Sequence, residues 1–128
     1  MVMLRRFARL GKEYRDGQTI VRQGEKDECM HVVQDGQVQA LLETPEGAVE
    51  LEILKAGDMF GEMALFTHTP YEATYIAKGP ARIITIDRKL FLKRITEDPT
   101  LAFHLVQELA RRIQALETEV KHLKADTS

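Results

Sequence analysis

Apolar residues recur along this chain in short alternating runs broken by glycine turns, then change to a helical period toward the C-terminus. The turn signals Asp16-Gly17, Gln23-Gly24, Asp35-Gly36, Pro45-Glu46-Gly47 and Ala56-Gly57-Asp58 fall at short intervals. Such spacing predicts an antiparallel sandwich or roll. Val49-Glu50-Leu51-Glu52-Ile53 alternates as a half-buried strand does. Residues 29–34 and 37–41 flank Asp35-Gly36 and read as a hairpin. Residues 73–77 and 81–86 read as two further strands, joined at Lys78-Gly79-Pro80. Residues 4–10 form a short amphipathic helix candidate that ends at Gly11.

The C-terminal third has different punctuation. Asp87 is placed to cap a helix over residues 88–97. Asp98-Pro99 opens another, an N-cap acid followed by proline at the first helical position. That helix is expected to reach about Lys124, with residues 125–128 as a frayed end. Within it Ala102, Val106, Leu109, Ile113, Leu116, Val120 and Leu123 step by four and three in turn. This is an a/d heptad seam with Val106, Ile113 and Val120 at a, a choice that favours a parallel two-stranded coil. In such a dimer Arg112 faces Glu117 of the other copy, and Glu119 faces Lys124. These exposed pairs contribute only a few tenths of a kcal/mol each, so they set orientation more than strength. Leu101, Phe103 and Leu105 lie off the seam and are expected to pack the helix start onto the chain's own strands. The expected organisation is therefore a β domain over 1–98, a dimerisation helix over 99–124 and a tail over 125–128.

Composition narrows the function classes. A chain of 128 residues fits one domain, and a net charge of −2 gives no general attraction to nucleic acid or anionic membrane. No apolar run is long enough to span a bilayer, and the apolar part of the N-terminus is too short for a secretory signal. A cytoplasmic location is expected. The lone Cys29 has no intrachain disulfide partner and reads as a small buried strand residue. His31, His68, His104 and His122 are scattered without metal-ligand spacing. The single serine is Ser128, and no nucleophile–base pattern is readable, so an enzyme is not expected.

The chemistry concentrates in residues 57–77, GDMFGEMALFTHTPYEATYIA. Phe60, Gly61, Glu62, Ala64, Leu65, Pro70, Ala73 and Thr74 fall in register with a pattern Phe-Gly-Glu-Leu-Ala-Leu, a short loop, then Pro-Arg-Ala-Ala-Thr. This stretch resembles the phosphate-binding cassette of the cyclic-nucleotide-binding domain family. The resemblance covers nearly the whole chain. It implies a mainly β fold with helices: an antiparallel double-stranded β-roll, jelly-roll-like, with a short N-terminal helix, a cassette helix and a long C-terminal dimerisation helix.

The resemblance also implies a ligand site of Phe60, Gly61, Glu62, Met63, Ala64, Tyr71, Glu72, Ala73 and Thr74. In it Glu62 would accept from a ribose hydroxyl, and the Ala64 amide and Thr74 hydroxyl would face the phosphate. The arginine that pairs with that phosphate falls here on Tyr71, which offers at most one neutral hydrogen bond. Glu72 beside it would repel an anion if it faced the pocket. Lys78, Arg82 and Arg88 are the nearby cations that could compensate. The expected ligand is a cyclic nucleotide (cyclic AMP or cyclic GMP) or another small phosphorylated molecule, bound weakly. No helix-turn-helix follows the long helix, so specific DNA binding by this chain is not expected. The reading that results is a homodimeric ligand sensor; the alternative is a dimerisation scaffold with a degenerate pocket.

Overall fold

A computed structural model describes residues 11–127. The expected helix over residues 4–10 lies outside the described residues. In chain order the elements are β1 (Gly11–Tyr14), β2 (Thr19–Val21), β3 (Cys29–Thr44), β4 (Gly47–Lys55), β5 (Met59–Phe60), α1 (Glu62–Thr67), β6 (Thr74–Asp87), α2 (Arg88–Glu97) and α3 (Pro99–Thr127). They fall into two compact units, Met1–Leu90 and Phe91–Ser128.

The first unit is built on two long antiparallel strands. β3 and β6 pair along nearly their full length, from Cys29↔Asp87 to Leu41↔Thr74. β1 adds to the far half of β6 and β2 to its near half, while β4 and β5 add to β3. The two predicted pairs of short strands are thus two single bent strands. Asp35-Gly36 is a bulge and not a hairpin turn, because the ladder continues past it after a register shift. Lys78-Gly79-Pro80 is the opposing irregularity: Asp35 faces Arg82, and Gln37 faces Lys78. The tight hairpin is at Pro45-Glu46, where Thr44 pairs with Gly47. An Asp-Gly pair suits either structure, since both need a residue with positive φ.

These bends turn one ladder into a roll. Val33, Ala81 and Ile83 from one side of the bend share a core with Val38 and Ala77 from the other. Val21, Leu54, Phe60, Ala64 and Tyr71 complete it. β4 behaves differently from its alternating sequence. Val49 and Leu51 are exposed, and only Leu54 is buried. Among the described residues β4 is flanked by β3 alone, and a bulge between Ala40 and Leu41 leaves Leu51 without a register partner.

The helical predictions hold closely. Asp87 accepts from the Leu90 amide at 2.7 Å and α2 begins at Arg88. Asp98 accepts from the Thr100 amide at 3.2 Å and α3 begins at Pro99, running three residues beyond Lys124. Of the off-seam residues, Leu101 and Leu105 are buried but Phe103 is exposed, contrary to expectation.

The bend makes Gly36 irreplaceable. Its φ is 84°, and a Cβ there would lie 2.2 Å from the Pro80 carbonyl oxygen and 2.9 Å from Ala81 Cα. Both obstacles are backbone. Gly36→Ala is therefore expected to lower the unfolding free energy by at least about 2 kcal/mol in urea titration, whereas Gly47→Ala, with nothing near its Cβ, costs less.

Candidate functional site

The cassette grows out of β5. His31↔Phe60 and Val32↔Met59 fix β5 against β3, and Gly61 then turns the chain into α1. Gly61 has φ 79°, and a Cβ would come within 2.9 Å of Tyr71 Cε1 and 3.0 Å of the Cys29 carbonyl oxygen. Glycine alone permits both that turn and that approach. α1 runs six residues and closes at His68, a left-handed C-cap with φ 59°. The return segment is pinned from behind: the Tyr71 amide donates to Glu25 O at 3.0 Å and Gly24 donates to Tyr71 O at 2.9 Å.

Tyr71 points inward. It is 4% exposed, and its hydroxyl donates to the Cys29 carbonyl at 2.9 Å. The same oxygen lies 3.2 Å from His31 Nε2. Because the phenol proton goes to Cys29, His31 must donate from Nε2, and Nδ1 then accepts from the Thr85 hydroxyl at 3.0 Å. His31 is thus held as a neutral tautomer. Burial pulls its imidazole down to about 4. Its ring stacks on Phe60 at 5.0 Å, and Phe60 stacks on Tyr75 at 4.3 Å. Burial, and then Asp27, raise the Tyr71 phenol well above its usual range, so it remains a donor. Burial, then Asp27, Asp87 and Glu28, push the Cys29 thiol up to about 11, which leaves it without thiolate reactivity.

The resemblance puts Tyr71 at the phosphate, where its hydroxyl could offer at most one neutral hydrogen bond. In the structure that hydroxyl is occupied inside the fold. Thr74 is occupied too: it is buried, donates to Glu43 Oε2 at 2.8 Å and accepts from the Gln23 amide at 3.0 Å. Phe60 and Ala73 are core residues. What comes together is a hollow of about 80 Å³ lined by Gly61, Glu62, Met63, Ala64, Pro70, Tyr71, Glu72 and Tyr75. Six of the nine predicted residues line it. Pro70 and Tyr75 were not predicted, although both lie inside the quoted motif.

The charge of the hollow is unlike that of an anion site. Among the described residues, its only carboxyl groups are those of Glu62, which is buried, and Glu72, which is exposed, and no lysine or arginine lines it. The candidate compensating cations lie elsewhere. Arg82 pairs with Glu13 at 2.5 Å and donates to Gly11 O at 3.0 Å. Arg88 donates to Leu65 O and to His68. Lys78 is exposed and does not line the hollow.

A second candidate surface lies on α3. Val106, Ile113, Leu116, Val120 and Leu123 are 48–62% exposed, while Ala102 and Leu109 are partly buried. The seam is an apolar stripe open to solvent along most of its length, the kind of surface that marks an interface.

The buried imidazole has a pH consequence. His31 titrates near its ordinary 6.5 when unfolded and near 4 when folded. The folded state therefore binds fewer protons, and stability from this site is present above about pH 6.5 and lost as pH falls toward 4. Between pH 7 and pH 4.5 the loss from His31 is expected to be roughly 2–3 kcal/mol. Urea midpoints of His31→Gln across that range should show a correspondingly flatter slope than the parent; an equal slope would contradict the neutral assignment.

Comparison with known proteins fits this geometry. The family described as "Cyclic nucleotide-binding domain" matches residues 11–98. The cAMP-activated global transcriptional regulator CRP of Pasteurella multocida is 34% identical over 113 residues, covering 87% of this chain and 54% of that protein. The cGMP-dependent protein kinase egl-4 of Caenorhabditis briggsae is 40% identical over 91 residues, covering 69% of this chain and 12% of that one. The crystal structure of Thermus thermophilus catabolite activator protein superposes with a TM-score of 0.81 at 25% identity, over 94% of this chain and 58% of that one. The chain thus spans about half the length of its regulator relatives and a small part of the kinase. With its roll, its cassette and a family match over most of its length, the chain belongs to the cyclic-nucleotide-binding domain family.

Proposed function

We propose that this domain is a cytoplasmic, non-enzymatic ligand sensor that works as a homodimer, and that its cassette binds cyclic nucleotides only weakly. The observation that carries this reading is the lining of the hollow. The cassette backbone is kept, with Gly61 left-handed and α1 opening beside it. The charge differs from that expected of a phosphate site: among the described residues, two carboxylates and no cation surround the space. An arginine–phosphate pair is a charge-assisted, often bidentate contact, and its absence costs more than a neutral hydrogen bond restores. Any output then comes through a partner or a further domain, because ligand acts only by favouring one of two arrangements.

On this reading the position that sets anion affinity is Glu72, and not Tyr71. Tyr71 is a core residue, so an arginine placed there would enter the stack of His31 and the Cys29 carbonyl. Glu72 is the exposed residue on the rim. Glu72→Arg is expected to tighten cyclic AMP or cyclic GMP at least tenfold over the parent in calorimetry, about 1.4 kcal/mol. Tyr71→Arg is expected to lower the unfolding midpoint instead.

A second reading is favoured by size. Ligand pockets usually enclose ~300–1,000 Å³, and the Tyr71 ring lies close over Gly61. On that reading the pocket is closed and the domain is a dimerisation scaffold. Absence of heat with cyclic AMP, cyclic GMP and a cyclic dinucleotide, in parent and Glu72→Arg alike, would establish it over the first.

Dimerisation is tested separately. The a/d seam, Ala102 through Leu123, would bury the apolar stripe of α3 against a second copy. Leu116→Lys is expected to sediment as a monomer at micromolar concentration while the parent sediments as a dimer. A Leu116→Lys protein that stays dimeric would move the interface off α3.

A further inference from the structure

Away from the cassette, the hairpin of β3 and β4 sets charge of one sign around uncovered apolar side chains. Residues 42–52 hold four glutamates, Glu43, Glu46, Glu50 and Glu52, and no lysine or arginine. Among them Leu42, Val49 and Leu51 are 37%, 51% and 53% exposed. Val49 shares a face with its register partner Leu42. Glu50 is the next residue along, so it takes the opposite face with its own partner Leu41. There Gln39 Nε2 donates to Glu50 Oε1 at 2.6 Å.

Among the described residues, β4 has β3 on one side and no strand on the other. Its outer edge therefore offers backbone donors and acceptors for a further strand. Edges are commonly guarded by lysine, by proline or by short length. β4 runs nine residues, has no proline, and carries its one lysine at the end, as Lys55. The bulge at Leu51 twists the edge locally.

Charge decides what such an edge accepts. A second copy pairing on the same segment would bring two acidic hairpins side by side, and like charges opposed across a ladder are destabilising. Nucleic acid and anionic membrane are repelled for the same reason. A basic extended chain is attracted. If its basic and apolar residues alternate, one face meets Glu50 and the other covers Val49 and Leu42.

We propose that the outer edge of β4 is a docking site for an extended segment of another protein in which basic and apolar residues alternate, added as a further strand. Main-chain bonds supply affinity in this mode, and the alternating side chains supply specificity. The base of the hairpin is tied to the cassette. Thr74 donates to Glu43 Oε2 at 2.8 Å, the Glu43 amide donates to Gln23 Oε1 at 2.8 Å, and Gln23 Nε2 donates to Glu43 O at 3.2 Å. A role for this edge as the output of the sensor rests on reading the cassette as the ligand site; the docking itself does not.

NMR titration of the intact chain with the blocked peptide Lys-Val-Lys-Val-Lys-Val-Lys tests this. The expected result is saturable binding that shifts the amides of residues 47–50 and slows their hydrogen exchange, while the amides of β6 stay in place. Glu50→Lys combined with Glu52→Lys is expected to weaken binding about tenfold or more and to accept Glu-Val-Glu-Val-Glu-Val-Glu instead. Unchanged β6 shifts report that this variant is folded. The same lysine peptide, N-methylated at alternate residues, keeps its charges but cannot complete the ladder, and it should not bind. No binding by the parent, equal binding of the N-methylated peptide, or shifts confined to α3 would overturn the proposal. Slowed exchange at 47–50 without peptide, growing with protein concentration, would assign the edge to a second copy and overturn it too. If the peptide binds but calorimetry gives no heat with cyclic AMP or cyclic GMP, the sensor reading fails and the docking edge stands.

Discussion

The structure depends on a close crossing of two backbones. Gly36 in β3 passes so near Pro80 and Ala81 in β6 that there is no space for a side chain. At that crossing the ladder loses register on both strands together, and the sheet turns back over its own core. Without the bend, β1 and β2 would extend one flat sheet along β6. With it, Val33 and Val38, five residues apart, enter the same core. β5, and through it Gly61, inherits its position from the first half of β3.

The cassette sits on a polar core feature that is fully paired. A buried hydroxyl and a buried imidazole are costly without partners. Here each finds two: Tyr71 with Cys29 O and His31, and His31 with Tyr71 and Thr85. This explains how a tyrosine is accommodated at position 71. The phenol ring fills space over Gly61, and its oxygen satisfies a carbonyl at the start of β3. The hydroxyl at this position turns inward, and the carboxyl groups lining the hollow, among the described residues, are those of Glu62 and Glu72.

The helices were the most legible part of the sequence, because Asp87 and Asp98-Pro99 specify their own starts through local hydrogen bonds. The roll was legible as a class but not as a strand list. A glycine with positive φ serves a hairpin and a bulge equally, so Asp35-Gly36 and Gly79-Pro80 were divided where the chain runs on. The cassette was legible as a motif, and Gly61 as its turn. The direction of Tyr71 was not, because residues 68–73 have no regular period to assign alternate faces. Nor did the pattern mark His31, which sits among Met30, Val32 and Val33 as one more buried position; its partners lie 40 and 54 residues away. Phe103 was misplaced for a related reason: an apolar residue on an exposed helix face looks the same in sequence as one on a covered face.

The pairing of β1 and β2 has a consequence for how the chain is made. Both strands precede their ladder partner β6 by 54 to 73 residues. Contacts this distant in sequence are slow to form. On the ribosome, β1 and β2 have, among the described residues, no ladder partner until β6 has emerged. Vectorial synthesis therefore cannot complete this roll from its beginning; it closes from its last strand, in a single late step that leaves the early strands dependent on other protection until then.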